Sequence, residues 1–232
     1  MRWVLLAATL AACERAPKPA VRGAAAGAAR AVAPAVAPRR VILFIGTSLT
    51  AGLGLDPDQA YPAVVARRLD SLSENYEVVN AGVSGETSAD ARHRLGWLLR
   101  RPVAVVVLET GANDGLRGLG PADLRVNIQA IIDTIRAVQP RARIILAGME
   151  APPNMGPRFT AEFRETFPLM AKKNGVALIP FILVGVGGVD TLNQGDGIHP
   201  NVRGAEIVAT NVLQVLQPVL ASLPKEAAPV AP

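Results

Sequence analysis

Residues 41–54, VILFIGTSLTAGLG, join a run of five apolar residues to a turn rich in glycine, serine and threonine. The run at 41–45 has the length and the β-branched content of a buried strand that stops at Gly46. Ser48 is therefore predicted at the carboxyl edge of a sheet, where open α/β sheets bind ligands. The same residues are equally compatible with an ordinary turn in which a serine caps a helix.

Apolar strand patterns alternate with amphipathic helix patterns along the rest of the chain. Strands are predicted at 41–45, 76–80, 103–109, 143–147 and 176–179, and helices at 59–73, 88–100, 121–138, 158–174 and 202–221. Each crossover is long enough to return the chain parallel and right-handed. The sequence thus predicts an α/β fold, a flavodoxin-like three-layer α/β/α sandwich with a five-stranded parallel sheet, as one domain over 41–221.

The charge of the chain is unevenly distributed. Although the pI is near 10.0, residues 1–40 hold seven Lys/Arg and one Glu, which leaves 17 basic and 18 acidic residues for the remainder. The folded part is therefore close to neutral, and a basic groove on it is not indicated. Without a basic stripe or an aromatic stacking platform, nucleic-acid binding is not expected.

The first residues, MRWVLLAATLAAC, carry Arg2 and then an apolar run at 3–12. This run is too short to span a bilayer and is typical of a secretory signal. Its end, LAAC, resembles the lipobox of bacterial lipoproteins, in which a peptidase cuts before the cysteine and the thiol is lipid-modified. We therefore predict a signal at 1–13 with lipidation of Cys13; an ordinary cleaved signal and an incidental apolar N-terminus are the alternatives.

This N-terminal pattern sets the expected organisation and location. Residues 14–40, rich in Ala, Pro, Gly and Arg, are predicted to be a disordered linker that can lie on an anionic membrane surface, and 222–232 a disordered tail. The expected location is the bacterial cell envelope, lipid-anchored and periplasmic or outer-membrane associated; without lipidation of Cys13 the protein would be periplasmic or secreted. With one cysteine in the chain, no intrachain disulfide and no thiol-ligated metal site can form. A monomer without metal or organic cofactor is expected.

Three loops that follow strands or precede the last helix contain unusual residues. NAGVSGET at 80–87 and TGANDG at 110–115 contain glycines that let backbone amides approach a ligand, although each is also compatible with a plain turn. In GDGIHP at 195–200, Pro200 favours an extended His199 and can occupy the first turn of the final helix. Asp196, three residues earlier, can accept a hydrogen bond from Nδ1 and leave Nε2 free.

These residue types match the requirements of nucleophilic catalysis. A serine hydroxyl needs a base to take its proton, and that base works best beside a carboxylate. Ser48, His199 and Asp196 supply the three groups. Asp114 is an alternative carboxylate, but Asp196 is preferred because it has a local route to the imidazole. The glycine loop and the loop around Asn113 are natural sources of oxyanion donors.

The segments GTSLTAG, NAGVSGET, GANDG and DGIHP resemble the four conserved blocks of the SGNH, or GDSL, hydrolase superfamily. Over about 41–220 the chain is most similar to the branch of thioesterase I, lysophospholipase and arylesterase. The resemblance implies that Ser48 is the nucleophile, that His199 is its base and that Asp196 orients the base. It also implies three oxyanion donors: the N–H of Ser48, the N–H of Gly82 and the side-chain amide of Asn113.

One residue departs from that pattern. The first block of the family usually reads Gly-Asp-Ser, whereas here Thr47 precedes the serine. The missing carboxylate is not a member of the triad, so the chemistry is expected to survive. How firmly the loop is held is left open, because threonine offers a shorter and neutral hydrogen-bonding group.

The apolar segment FILVGVGGVDTL at 181–192 lies between the last strand and the histidine loop. It is either a buried connector or one wall of an acyl pocket. In the second interpretation the substrate-binding residues are predicted to be Leu116, Asn154, Met155, Phe181 and Leu183.

Together these features predict a serine esterase that hydrolyses carboxylic esters or thioesters of small molecules or acyl chains through an acyl-serine intermediate. A ligand-binding module with a glycine-rich loop is one alternative, but neither G-x-G-x-x-G nor G-x-x-x-x-G-K-[ST] follows the first strand. A membrane-tethered, non-catalytic adaptor is another, and the complete set of triad residues argues against it.

Overall fold

The computed structural model describes residues 39–72 and 74–224. Five strands, all parallel, form one sheet in the order β2-β1-β3-β4-β5. They are β1 (Arg40–Gly46), β2 (Tyr76–Gly82), β3 (Val105–Glu109), β4 (Arg143–Ala147) and β5 (Ala177–Ile179). This is the flavodoxin-like order, and the predicted α/β fold class is confirmed.

Helices cover both faces of this sheet. They are α1 (Ser48–Ala51), α2 (Tyr61–Ser71), α3 (Ser88–Leu98), α4 (Ala112–Leu116), α5 (Pro121–Val138), α6 (Pro157–Asn174) and α7 (Val202–Ala221), with 3₁₀ turns at Pro153–Met155 and Asp190–Leu192. α2 packs beside α7, while α3, α5 and α6 pack side by side. The central strands are consequently buried on both faces, which explains why β1 and β3 are apolar almost throughout.

The position of β1 decides where the functional loops meet. The strand that follows β1 in the chain, β2, lies on one side of it, and the next strand, β3, lies on the other side. The direction in which strands are added to the sheet therefore reverses at β1. Ligands of open α/β sheets bind at this switch point, beyond the carboxyl ends of the strands. The loops that follow β1, β2 and β3 therefore meet at one edge.

The structure corrects three local expectations. The short helices α1 and α4 were not predicted. Pro200 is not in the first turn of the last helix, because α7 begins at Val202 and Asn201 caps it by accepting the Gly204 N–H. The folded part also extends slightly further than predicted: β1 starts at Arg40, and Leu223 is buried.

The predicted signal with Cys13, most of the predicted linker and residues 225–232 lie outside the described residues. Within the described part, none of the helices combines the length and the apolar character that crossing a membrane requires.

Candidate active site

The Ser48 hydroxyl and the His199 ring meet at the carboxyl edge of the sheet, although 151 positions separate them in the chain. Ser48 Oγ lies 2.8 Å from His199 Nε2, and His199 Nδ1 lies 2.6 Å from Asp196 Oδ2. An ionised carboxylate only accepts hydrogen bonds, so Nδ1 carries the hydrogen and Nε2 of the neutral ring accepts the Ser48 hydroxyl. The three side chains thus form the chain of contacts that the sequence predicts.

A tight local turn holds the base. Asp196 Oδ1 accepts the backbone N–H groups of Ile198 (2.9 Å) and His199 (3.0 Å), and Gly197 supplies the left-handed conformation with φ +70°. These backbone bonds, together with the bond to the imidazole, lower the pKa of Asp196 to about 2. Asp196 is therefore ionised at neutral pH, and the exposure of 44% of its side chain to water also favours the charged form.

The alternative carboxylate, Asp114, has a different role. It is buried and accepts the Ser88 N–H at 2.8 Å and the Ser88 hydroxyl at 2.5 Å. These bonds tie α4 to the start of α3. The preference for Asp196 as the partner of His199 agrees with this geometry.

A buried carboxylate holds the loop that carries Ser48. Glu109, at the end of β3, is 0% exposed. Its Oε2 accepts the Thr47 N–H at 2.7 Å and the Thr50 hydroxyl at 2.9 Å, and both of its oxygens lie 3.0 Å from the Thr47 hydroxyl. The Tyr61 hydroxyl extends the network to Thr50 Oγ1 at 2.7 Å. Thr47 therefore holds the nucleophile loop with two hydrogen bonds to Glu109, one from its N–H and one from its hydroxyl. A threonine in place of the usual aspartate thus still anchors this loop.

Burial dominates the electrostatics of this network. It raises the pKa of Glu109 above its ordinary value, against the hydrogen bonds from Thr47 and Thr50, which lower it. Burial and the nearby Glu109 also raise the pKa of Tyr61, so this phenol stays protonated. Sequence reasoning missed the network; its one visible signal was an acidic residue at the end of the buried strand VVVLE.

Two of the three predicted oxyanion donors have an N–H hydrogen that no other described residue accepts. Ser48 lies in the first turn of α1, and its N–H has no acceptor within the described residues. Asn113 lies in α4, and its Nδ2 donates one hydrogen to the Glu86 carbonyl at 2.9 Å, which leaves the second hydrogen of the amide. Asn113 is thereby held against the loop after β2.

The third predicted donor, Gly82, does not fit. Its N–H already donates to Asn80 Oδ1 at 2.9 Å, and the residue is the last of β2. Its lack of a side chain has a packing reason, because a Cβ here would lie 2.2 Å from the Ala51 nitrogen in α1. Gly85, further along the same loop, has φ +80° and an N–H without an acceptor in the described part of the chain.

A small apolar cavity of about 10 Å³ adjoins Ser48 and His199. Of the predicted substrate-binding residues, Leu183 lines it, next to Ile182; leucines 49, 53 and 55 complete much of the wall. Leu116, Asn154, Met155 and Phe181 do not line this cavity. Met155 instead places its methyl group where a side chain at Gly118 would lie.

Known proteins with similar sequences and structures include esterases and a thioesterase. Residues 44–207 match the model of the GDSL-like Lipase/Acylhydrolase family. Esterase TesA of Pseudomonas aeruginosa is 41% identical over 182 residues, which cover 78% of this chain and 90% of that protein. Thioesterase 1/protease 1/lysophospholipase L1 of Escherichia coli is 33% identical over 180 residues, 77% of this chain and 84% of that one. The crystal structure of TesA superimposes with a TM-score of 0.74, covering 78% of this chain and 99% of its own.

Within residues 39–72 and 74–224, no group of three or more His, Cys, Asp or Glu side chains could hold a metal ion. The site is suited to acyl transfer through a covalent ester on the serine, because it joins a hydroxyl, an imidazole and a carboxylate by hydrogen bonds and has free N–H donors beside them.

Proposed function

The chain belongs to the GDSL-like Lipase/Acylhydrolase family and is a serine esterase, and we propose that Ser48, His199 and Asp196 are the groups that carry out its reaction. The observation that carries this assignment is the 2.8 Å contact between Ser48 Oγ and His199 Nε2. This distance is short enough for proton transfer, which supports the roles of Ser48 as nucleophile and His199 as general base.

In the first half of the reaction, Ser48 Oγ attacks the carbonyl carbon of the ester while its proton moves to His199 Nε2. The resulting imidazolium is stabilised by Asp196, which is already ionised. The proton then passes to the leaving alcohol or thiol as the carbon–oxygen or carbon–sulfur bond breaks, which leaves an acyl-serine. In the second half, His199 takes a proton from water as the water oxygen attacks the acyl carbon. The bond from that carbon to Ser48 Oγ then breaks, His199 returns the proton to Ser48 Oγ, and the acid is released.

The negative charge that develops on the carbonyl oxygen needs donors arranged in advance. We assign this role to the Ser48 N–H, to the second hydrogen of the Asn113 amide and to the Gly85 N–H in place of Gly82. The Asn113 side chain donates to the carbonyl of Glu86, the residue that follows Gly85, and Gly85 has the positive φ that turns this segment. Loss of one such donor costs about 3–4 kcal/mol of transition-state stabilisation.

The walls of the cavity support a preference for short acyl chains. The cavity is apolar, which suits an acyl group, but about 10 Å³ has room for roughly one water molecule. Among p-nitrophenyl esters, acetate and butyrate should therefore give higher kcat/KM values than decanoate or palmitate. Equal values across the series would contradict this preference.

A membrane tether at Cys13 accords with the LAAC pattern that ends the apolar run at 3–12. We propose that the protein is a lipoprotein of the bacterial cell envelope. Mass spectrometry of the protein from membranes should find an acylated N-terminal cysteine. A mature protein that begins at another residue would contradict the tether and leave the esterase assignment untouched.

The esterase assignment itself is tested with purified protein and p-nitrophenyl butyrate. Ser48→Ala and His199→Ala should each reduce kcat by about 10⁴-fold or more while circular dichroism stays unchanged. His93→Ala is the matched control, because His93 is the other histidine of the chain and is exposed on α3. Unchanged turnover in the Ser48 or His199 variant would contradict the assignment.

A further inference from the structure

The amino edge of the sheet, opposite the active site, carries a concentration of arginines. A hollow of about 940 Å³ lies there, with Arg39, Arg101, Arg141 and Arg143 among its lining residues and Val103 in its apolar part. We call this surface the arginine face. Its arginines lie at or just before the amino ends of β1, β3 and β4, which the parallel topology brings to one edge of the sheet.

A second hollow, of about 370 Å³, adjoins the first and shares Arg101 and Val103 with it. Trp97, at the end of α3, lines this hollow and is 67% exposed. The exposed side chains of Leu72 and Val138 belong to the closing turns of α2 and α5, which precede β2 and β4. The arginine face is thus bordered by exposed apolar side chains.

Some of these charges are neutralised within the molecule and others are not. Arg39 pairs with Asp70, and Arg101 pairs with Glu77. Arg141 and Arg143 are exposed and form no ion pair with another described residue. The near-neutral charge balance of the folded part argued against a basic surface, and this expectation is wrong for this edge, because the charges are segregated.

We propose that the arginine face, together with Trp97, docks on an anionic lipid bilayer. Basic side chains beside an exposed tryptophan suit the membrane interface, where the guanidinium groups contact lipid phosphates and the indole enters the headgroup region. The chain that precedes Arg39 is itself basic, with five Lys/Arg and one Glu in residues 1–38. The sequence therefore continues the basic character of this face beyond the residues that the structure describes.

Lipid is favoured over nucleic acid because the same N-terminal segment contains the apolar run at 3–12 and the LAAC pattern. Docking in this orientation would also place the catalytic groups on the far side of the domain. The seven residues of β1 separate the two edges by about 20 Å. A docked enzyme would consequently hydrolyse soluble esters and not the lipids beneath it.

The domain can be tested without its N-terminal segment. The described residues 39–72 and 74–224 belong to one compact unit, and all the buried apolar side chains of the described core lie within 41–223. The crystal structure of TesA matches 78% of this chain over 99% of its own length. A protein of the size of the domain alone therefore folds independently.

Co-sedimentation of residues 38–232 with vesicles tests the proposal. We expect binding to vesicles that contain phosphatidylglycerol and phosphatidylcholine, and much weaker binding to phosphatidylcholine alone. Arg141→Gln combined with Arg143→Gln should weaken the partition coefficient by about 25-fold, about fivefold for each arginine. Trp97→Ser should also weaken it, and its effect should persist at high salt, where electrostatic attraction is screened.

Arg92→Gln combined with Arg158→Gln is the matched control, because it removes the same charge from exposed helix positions outside the arginine face and should leave binding unchanged. Ser48→Ala should bind like the wild type, which separates docking from catalysis. Absence of binding to anionic vesicles, equal losses in the two double variants, or tighter binding to duplex DNA than to the vesicles would overturn the proposal.

Discussion

The two loops that build the active site are held in opposite ways. The Ser48 loop rests on Glu109, a carboxylate that is 0% exposed and that contacts it across 62 positions of the chain. The His199 loop is held by Asp196, which is 44% exposed and only three positions away. One contact belongs to the core, and the other to a surface turn.

Because the two carboxylates differ in burial, we expect the loss of one to affect stability and the loss of the other to affect catalysis. Removing a buried carboxylate leaves its donors without partners, and the cost falls on the free energy of unfolding. Removing an exposed carboxylate exposes its partners to water, which replaces the lost bonds, so the cost falls on the orientation of the imidazole. We therefore expect substitution of Glu109 to lower mainly the free energy of unfolding, and substitution of Asp196 to lower mainly kcat.

The largest expected effect is that of Glu109→Ala. It leaves the Thr47 N–H and hydroxyl without an acceptor, removes one of the two partners of the Thr50 hydroxyl and opens a cavity in the core. The free energy of unfolding should therefore fall by roughly 3–5 kcal/mol. Urea denaturation measures this value. Asp196→Ala is the matched control and should change stability by less than about 1 kcal/mol. Similar losses in the two variants would remove the contrast between the loops.

The reverse contrast is expected in kinetics. Asp196→Asn keeps the size of the side chain but removes the charge that stabilises the imidazolium and fixes the tautomer. kcat should fall by about 10²–10⁴-fold with little change in KM or in stability. Steady-state kinetics with p-nitrophenyl butyrate measure the change. A kcat within threefold of the wild type would show that the base needs no carboxylate.

A smaller effect is expected from Thr47→Val, which removes one hydroxyl from Glu109 and retains the backbone donor and the branched shape. Unfolding should become easier by about 1–2 kcal/mol, and kcat should change by less than about tenfold. Thr47→Ser, which keeps the hydroxyl, is the control and should lose less stability. An unchanged stability for Thr47→Val would mean that the threonine hydroxyl does not help to hold the loop.

The smallest effects concern the pH dependence of stability, and they have opposite signs in the two loops. The pKa of Asp196 is about 2 in the folded state, below its unfolded value, so its contribution is present above about pH 4 and is lost as the pH falls towards 2. The folded pKa of Glu109 is raised, so its contribution is present below its unfolded pKa and is lost as the pH rises through the folded value.

Thermal unfolding across pH measures both effects. Asp196→Asn should flatten the acid side of the stability profile by a small amount, since the group is exposed, whereas Glu109→Gln should flatten the loss at rising pH. If both substitutions changed stability at the same end of the pH range, the pKa of Glu109 would not be raised by burial while that of Asp196 is lowered by hydrogen bonds.

Local patterns in the sequence were sufficient to predict most of the fold. β4 and α5 have the predicted bounds, because an apolar run of strand length and a long amphipathic period are both clear signals. α1 and α4 were missed because four or five residues are too few to show a helical period. Asp196 could be predicted as the partner of His199 because a turn of three residues connects them.

Individual hydrogen bonds and contacts between distant segments were harder to predict. Gly82 ends β2 and Gly85 lies in the loop that follows, and the sequence does not show that Asn80 uses the Gly82 N–H. Glu109 ends an apolar strand, where nothing local indicates that its carboxylate reaches the Thr47 loop. The arginine face was hidden because a charge total contains no information about position.

The most direct test of the central claim is covalent labelling of the nucleophile. The wild-type protein is treated with a p-nitrophenyl phosphonate, whose phosphorus accepts the serine oxygen and releases p-nitrophenol. We predict one phosphonyl group per chain, mapped by tandem mass spectrometry to Ser48, with loss of activity in proportion and much slower labelling of His199→Ala. A stoichiometric label on another residue, or full labelling at Ser48 with activity retained, would contradict the account.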